Sequence, residues 1–294
     1  MKEQKRRFGD RKDGYRVRNL DSMHTISPLI MPKRCDNEAV MNEVIDITAL
    51  NEYLAEKNAM SPDFKYTFFH VILAAIAKTI VLRPRMNRFY AGSRLYDRKD
   101  IVFSFVVKKQ FEDDAHEAMA IIKIDEDSDV SPIEQIHSKI QKIVRQVRKE
   151  NKKDGTTVLI DKLVSLLPIP ILKFVVNTLN WLNDIGLYPT SFMKDDPYFS
   201  SVFVSNLGSI KMHASYHHLA NWGTNSLFVV VGEKKERLII KDGKFKVCET
   251  IDLGMTVDER IADGVYFAKT VKILRHFIEN PHLLELPIDT EIEI

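Results

Sequence analysis

Hydrophobic residues recur along the chain in two rhythms, and each rhythm names an element. Phe68 to Leu82 is apolar almost all round, which predicts a buried helix, and Arg83-Pro84 stops it. Ile133, Ile136, Ile140, Ile143 and Val147 fall three and four apart, so Ser131-Pro132 should open a helix reaching about Lys149 with one apolar and one basic face. Phe267, Val271, Leu274 and Ile278 predict a closing helix from Val265, ended before Pro281. Met41 to Ile47 reads as a strand entering a helix capped by Asp46 or Thr48, with Leu50, Tyr53 and Leu54 on its apolar face.

Alternating or β-branched runs supply the strands. Arg94 to Val107 predicts a hairpin-like pair, and Ala118 to Ile124 another strand. Val202 to Leu207 and Ser226 to Val231 have interior-strand composition. Glu236 to Ile240 and Lys244 to Val247 flank Asp242-Gly243, a hairpin turn, and Glu249 to Val257 continues extended. Runs of strands with helices between them, and hairpins among the strands, predict an α/β chain with a mixed sheet covered by helices.

Composition adds limits. The 294 residues are 45% hydrophobic and 29% charged with a net charge of +2, which gives no general attraction to nucleic acid. Cys35 and Cys248 support no disulfide framework, so a cytoplasmic location is expected. Val158 to Leu182 is the longest apolar region, but it is broken by Asp161, Lys162, Pro168, Pro170 and Lys173, so no stable membrane insertion is expected. Leu163, Leu166, Leu167, Ile171, Leu172, Val175, Leu179 and Leu182 predict two short apolar helices around Pro168-Ile169-Pro170. Core packing is the default for them, a lid over a ligand tunnel the functional reading, and membrane docking a third that too few flanking cations support. Residues 1–18 hold eight Lys or Arg without a stacking platform, which reads as a solvated tail.

Three ordered segments carry a resemblance: Val44-Ile45-Asp46-Ile47-Thr48-Ala49-Leu50 with Arg83-Pro84-Arg85-Met86-Asn87; Phe203-Val204-Ser205-Asn206-Leu207-Gly208; and Met255-Thr256-Val257-Asp258-Glu259-Arg260-Ile261-Ala262-Asp263-Gly264 with Asn280-Pro281-His282-Leu283-Leu284. Together they resemble the catalytic domain of the 2-oxoacid dehydrogenase (dihydrolipoamide) acyltransferases, which implies the chloramphenicol-acetyltransferase-like fold, an α/β (α+β) two-layer sandwich. The resemblance spans roughly 38–285. It implies a basic arm and lead-in over 1–37, an inserted apolar segment over 156–195 and a tail over 286–294. The lipoyl and subunit-binding domains of that family are not expected ahead of residue 38, which implies a stand-alone protein.

The resemblance also implies roles. The family's His-x-x-x-Asp-Gly motif supplies a general base that takes a proton from a thiol or hydroxyl, and imidazole suits that work near neutrality. Here Glu259 stands at the histidine's position, with Asp263 as the orienting residue and Ser205 as the donor to the tetrahedral oxyanion. An unperturbed Glu titrates at about 4.3 and a thiol at about 8.5, so Glu259 needs burial to match imidazole. Three readings stay open: Glu259 is a retuned base, another histidine has replaced it, or the chain is a catalytically inactive binding or assembly protein on this fold. A structural Glu259 would hold a salt bridge, to Arg260 or an N-terminal arginine.

The implied reaction is direct transfer of an acyl group from a coenzyme A, pantetheine or lipoyl thioester to an unknown acceptor, with no covalently bound cofactor. The implied assembly is a homotrimer whose site lies between subunits, Glu259 of one facing Ser205 of the next. Among the remaining candidates, Thr224, Ser226 and His217 would touch substrate, although turn chemistry alone explains Trp222-Gly223-Thr224-Asn225. His213, His217 and His218 are candidate replacement bases, and the polar-loop reading competes with that. No metal site is expected, because adjacent His217 and His218 face opposite ways on a strand. His70 should be a satisfied core residue. His24, His116, His137, His276 and His282 have no motif around them. P-loop, Rossmann and nucleophile-elbow motifs are absent from the sequence.

Overall fold

The computed structural model describes residues 5–108, 117–149, 165–241 and 243–292. A six-stranded mixed sheet runs in the order β2-β9-β8-β7-β5-β6, with β2 Glu38–Asp46, β5 Ile101–Lys108, β6 Glu117–Ile124, β7 Val202–Asn206, β8 Leu227–Lys241 and β9 Lys244–Asp258. The β5–β7 and β7–β8 pairs are parallel and the others antiparallel. Helices α2 Thr48–Asn58, α3 Phe68–Leu82, α4 Pro132–Lys149 and α7 Gly264–Glu279 form the second layer, with α3 central among them. The predicted two-layer arrangement is therefore what the chain adopts.

Strand alternation builds the core. Val202 and Val204 of β7, Leu227, Val229 and Val231 of β8, and Leu253, Met255 and Val257 of β9 all face the helices and join one cluster. Against them α3 buries Val71, Ile72, Leu73, Ile76 and Ile80, each worth about 1.5–3 kcal/mol of transfer free energy. Lys78 of α3 is buried too, and its Nζ donates to the Pro287 carbonyl at 2.6 Å over the Phe277 ring. That contact and the buried Ile288 fix residues beyond 285 on the helical layer.

Two expectations change. Arg94–Arg98 (β4) and Ile101–Lys108 (β5) do not pair with each other. β4 pairs instead with β3, Arg88–Ala91, and with β1, Gly14–Arg16, in a separate three-stranded sheet. The basic arm is also not wholly a solvated tail. β1 joins that small sheet, and Arg11 is buried with Nη2 on Asn183 Oδ1 at 2.8 Å. The segment around Pro168 yields α5, Ile169–Asp184, followed by α6, Thr190–Asp195. Of the first of its two predicted helices, Leu163 lies outside the described residues, as does His116, and Ser165 and Leu166 are helical.

His70 is buried as expected, and Thr67 with His70 forms a capping box at the start of α3, the Thr67 amide donating to Nδ1 at 3.0 Å. It is only half satisfied, because Nε2 finds no protein partner among the described residues. Burial, with His137 nearby, pushes its pKa down to about 4. The folded chain thus binds the proton less readily than the unfolded one, so stability present above pH 6.5 is lost as pH falls toward 4, by about 3 kcal/mol. Urea unfolding of the parent should show that loss. His70→Asn, which keeps an acceptor for the Thr67 amide, should lose markedly less over the same range; equal losses would show that His70 does not carry the effect.

Candidate functional site

The third motif segment leaves β9 as a 3-10 turn, Glu259–Ile261, and enters α7. Asp258 and Arg260 point inward from this turn. Arg260 Nε and Nη2 donate to the two Asp258 oxygens at 2.8 and 2.7 Å, and both side chains are almost wholly buried. Arg260 Nη1 also donates to the Met31 carbonyl at 3.0 Å, and its guanidinium lies over the Tyr90 ring. With its two neighbours locked inside, Glu259 is displayed outward and exposed. Arg260 is committed to Asp258, so the salt bridge to Arg260 that a structural Glu259 would hold is not made.

Asp263 caps α7, accepting the Tyr266 amide at 2.9 Å. That bond, with Arg85 Nη1 at 3.7 Å, holds the Asp263 carboxyl below the ordinary carboxylate range. Arg83 stacks on Tyr266, its guanidinium carbon 3.6 Å from the ring centroid, and the Arg85 amide donates to the Tyr266 hydroxyl. The Arg83-Pro84-Arg85 stop after α3 and the Asp263-Gly264 start of α7 therefore meet in space.

Ser205 stands on β7 paired with Val230 of β8. Like Phe203 two residues before it, Ser205 faces away from the helices. On that outer face Phe203, Phe228, Val230 and Leu219 form a second small cluster. The segment from Met212 to Leu219 lies across it. His217 stacks flat on Phe228 at 4.1 Å, and Phe228 on Phe203 at 5.0 Å. The strands beneath let the main chain approach closely. A Cβ on Gly232 would sit 2.5 Å from the Ala214 nitrogen, and one on Gly254 would collide with the Ser215 carbonyl. His213 and Lys235 meet there, with Glu233 beside His213 at 3.0 Å. His217 thus shares a sheet face with Ser205, and it is exposed, as is His218.

Ser205 and Glu259 do not meet within one chain. Across the sheet Val202 aligns with Leu227 and Val257, whereas Ser205 aligns with Val230 and Gly254. The two residues therefore lie toward opposite ends of the strands, about 15 Å apart along them at about 3.3 Å per residue. Thr224 and Ser226 belong to the Glu259 end, where the Ser226 carbonyl accepts the Asp258 amide at 3.0 Å. The Thr224 hydroxyl is buried against Arg98 at 3.0 Å, and Ser226 Oγ is buried without a protein partner among the described residues. Gly223, at φ +72°, accounts for the turn before them.

Sequence reasoning missed a group of buried arginines at this end. Arg34 donates to the carbonyls of Ala220, Tyr90 and Gly223, and Arg98 to those of Phe199 and Thr224. Desolvation pulls both down to about 10, which leaves them cationic at neutral pH. Their acceptors lie far away in sequence, so no local pattern announces them. Arg34 and Arg260 line a cleft of about 590 Å³ with Tyr90, Asn183, Asn221 and Gly223. A second, apolar cavity of about 50 Å³ lies in the core among Met41, Ile80, Val202, Phe267 and Leu274. Neither of these two is lined by Glu259 or Ser205. Among the described residues no cluster of His, Cys, Asp or Glu has metal-holding geometry.

Residues 193–286 match the family model for the 2-oxoacid dehydrogenases acyltransferase catalytic domain. The lipoamide acyltransferase component of the branched-chain alpha-keto acid dehydrogenase complex of Bacillus subtilis is 20% identical over 238 residues, which cover 81% of this chain. The chain spans only 45% of that relative's length. A probable dihydrolipoamide acetyltransferase from Listeria monocytogenes superposes with a TM-score of 0.60 at 16% identity, covering 91% of this chain and 95% of the other. The dihydrolipoamide acetyltransferase of Azotobacter vinelandii gives 0.58 at 18% identity, covering 85% and 84%. The chain has the fold of the dihydrolipoamide acyltransferase catalytic domains, and it matches the 2-oxoacid dehydrogenase acyltransferase family over the stretch that carries Ser205, Glu259 and Asp263.

Proposed function

We propose that this protein transfers an acyl group directly between a coenzyme A, pantetheine or lipoyl thioester and an acceptor thiol or hydroxyl, at a site shared between subunits of a homotrimer. The observation that carries the reading is the separation just described. Glu259 is presented outward at one end of the sheet and Ser205 at the other, so one chain holds two half-sites. Glu259 of one subunit facing Ser205 of the next would complete the site. It would also desolvate the carboxylate, which is what a glutamate base requires. Asp263 would hold the turn through its cap on α7, and Ser205 would donate to the oxyanion as negative charge develops there. The Thr224 and Ser226 turn would border the acyl group at the Glu259 end. No covalent acyl-enzyme is involved.

A second reading has one observation in its favour. His217 lies on Ser205's own sheet face, so a histidine base beside Ser205 would need no partner chain. A chain that binds thioesters or assembles without turnover remains the alternative from another class. Light scattering separates the shared site from the others. The protein should run at three times the 34.0 kDa chain mass, and a mass near 34.0 kDa would overturn the shared site.

A further inference from the structure

The cleft of about 590 Å³ at the Glu259 end has the volume of a small-molecule site, and the proposed reaction has so far given it no occupant. Lys33 and Arg34 enter it from the chain ahead of β2, Ser93 from the β3–β4 turn, Asn180 from α5, and Arg260 from the turn that displays Glu259. The charges on these walls do not balance. Asp258 neutralises Arg260, and Asp184 is the one carboxylate among the lining residues. Lys33 and Arg34 together face that single acid, so one positive charge is in excess. Arg34 is buried and gives its Nη groups to main-chain carbonyls, while its Nε finds no protein acceptor among the described residues.

Donors in the cleft are also free. Lys33 and Ser93 are exposed and Asn180 is half-buried, and none of the three side chains has a protein partner among the described residues. Asp184, by contrast, already accepts the Gly92 amide at 2.9 Å. A concave wall with one sign of charge in excess concentrates the opposite sign in solution. A single excess charge suits a carboxylate. A phosphate monoester carries nearly two negative charges and would set the second against Asp184. Pro28, Leu29 and Pro32 supply an apolar side for the carbon chain that bears the carboxylate.

We infer that this cleft binds the acyl acceptor, and that the acceptor is a small thiol or alcohol bearing a carboxylate. The inference rests on the acyl transfer proposed above. The carboxylate lies against Lys33, Asn180 and the Arg34 charge. The thiol or hydroxyl reaches Glu259, whose Cα is about 3.8 Å from that of the cleft residue Arg260. Glu259 takes its proton as the acceptor sulfur or oxygen bonds the thioester carbonyl carbon. The carbon–sulfur bond to the donor then breaks, and the departing thiolate recovers the proton from Glu259.

Dihydrolipoate and dihydrolipoamide differ only in a carboxylate against a neutral amide, and the full chain can be given either as acceptor from acetyl-coenzyme A. Dihydrolipoate should show a kcat/KM at least tenfold higher, and its advantage should shrink as salt rises. Lys33→Glu with Asn180→Asp should bring that ratio close to one. Neither side chain has a protein partner to lose, and an unchanged melting temperature verifies the fold. Calorimetry with lipoate and lipoamide reads binding apart from turnover, and lipoate should bind the parent at least tenfold more tightly. Equal rates for the two acceptors overturn the inference and leave acyl transfer standing. Absence of lipoate binding, or a preference that the double variant keeps, also overturns it. Lipoate binding that the double variant loses, in a parent that transfers to neither acceptor, has the opposite meaning: the carboxylate site stands and acyl transfer falls.

Discussion

Glu259→Gln should slow transfer from acetyl-coenzyme A to dihydrolipoamide, used as a probe acceptor, by about 10²–10⁴, the range a general base contributes. The substitution keeps the shape of the side chain and removes its ability to take a proton. Because Asp258 and Arg260 rather than Glu259 hold the turn, the fold should be untouched and the melting temperature unchanged. Glu259→His should keep or raise the rate, since imidazole accepts a proton near neutrality without help. Ser205→Ala should cost about 10²–10³ through the lost oxyanion donor. If the site is shared, co-refolding the Glu259→Gln and Ser205→Ala chains should restore part of the activity, because some interfaces then pair an intact Glu259 with an intact Ser205. A Glu259→Gln enzyme as fast as the parent would remove Glu259 from the mechanism, and His217, His213 and His218 would be the next positions to replace.

Asp258→Ala should destabilise the protein by about 3–5 kcal/mol, the cost of leaving one member of a buried ion pair alone. Two carboxylate bonds to Arg260 disappear, and the guanidinium keeps main-chain acceptors and the Tyr90 ring but no opposite charge in contact. It stays ionised, so the loss falls on the folded state rather than on protonation. Arg260→Met in the Asp258→Ala background should recover much of the deficit, because removing both charges leaves neither buried alone. Urea unfolding measures all three proteins. A single-variant cost below about 1 kcal/mol would show that the pair is not what orders the turn. Activity gives an independent readout: a loosened turn should lower the rate even in the molecules that remain folded.

Helix boundaries were legible where composition and stop signal agree. Phe68–Leu82 is apolar almost all round and ends at Arg83-Pro84, and the helix has those limits. Glu259 lies on the turn after β9 and Asp263 caps the next helix, whereas the catalytic roles expected of them came from the resemblance and not from the pattern of the chain. Strand partnership was not legible. Between Arg98 and Ile101 the chain steps from the small sheet to the large one, and alternation gives each strand its faces without naming its neighbours. The roles at the Glu259 end were hidden for a related reason. Thr224 bonds Arg98, which lies 126 residues away, and Arg34 takes carbonyls up to 189 residues distant. Such contacts arise from three-dimensional closure, and short-range periodicity carries no trace of them. The opposed placement of Ser205 and Glu259 likewise follows from register across three strands, which a list of motifs in order does not contain.

The close passage of residues 212–219 over Gly232 and Gly254 divides evolutionary freedom unevenly. Where main chain lies on main chain, the underlying glycines admit no other residue, and a substitution there is filtered by geometry before any effect on chemistry is felt. The side chains carried above, at His213, Ser215, Tyr216 and His218, are exposed and largely released from packing, so drift at those positions costs the sheet little. The scaffold thus resembles a fixed mount with an interchangeable display: descendants of this chain can trade the groups shown beside Ser205 one at a time while the strands beneath stay as they are.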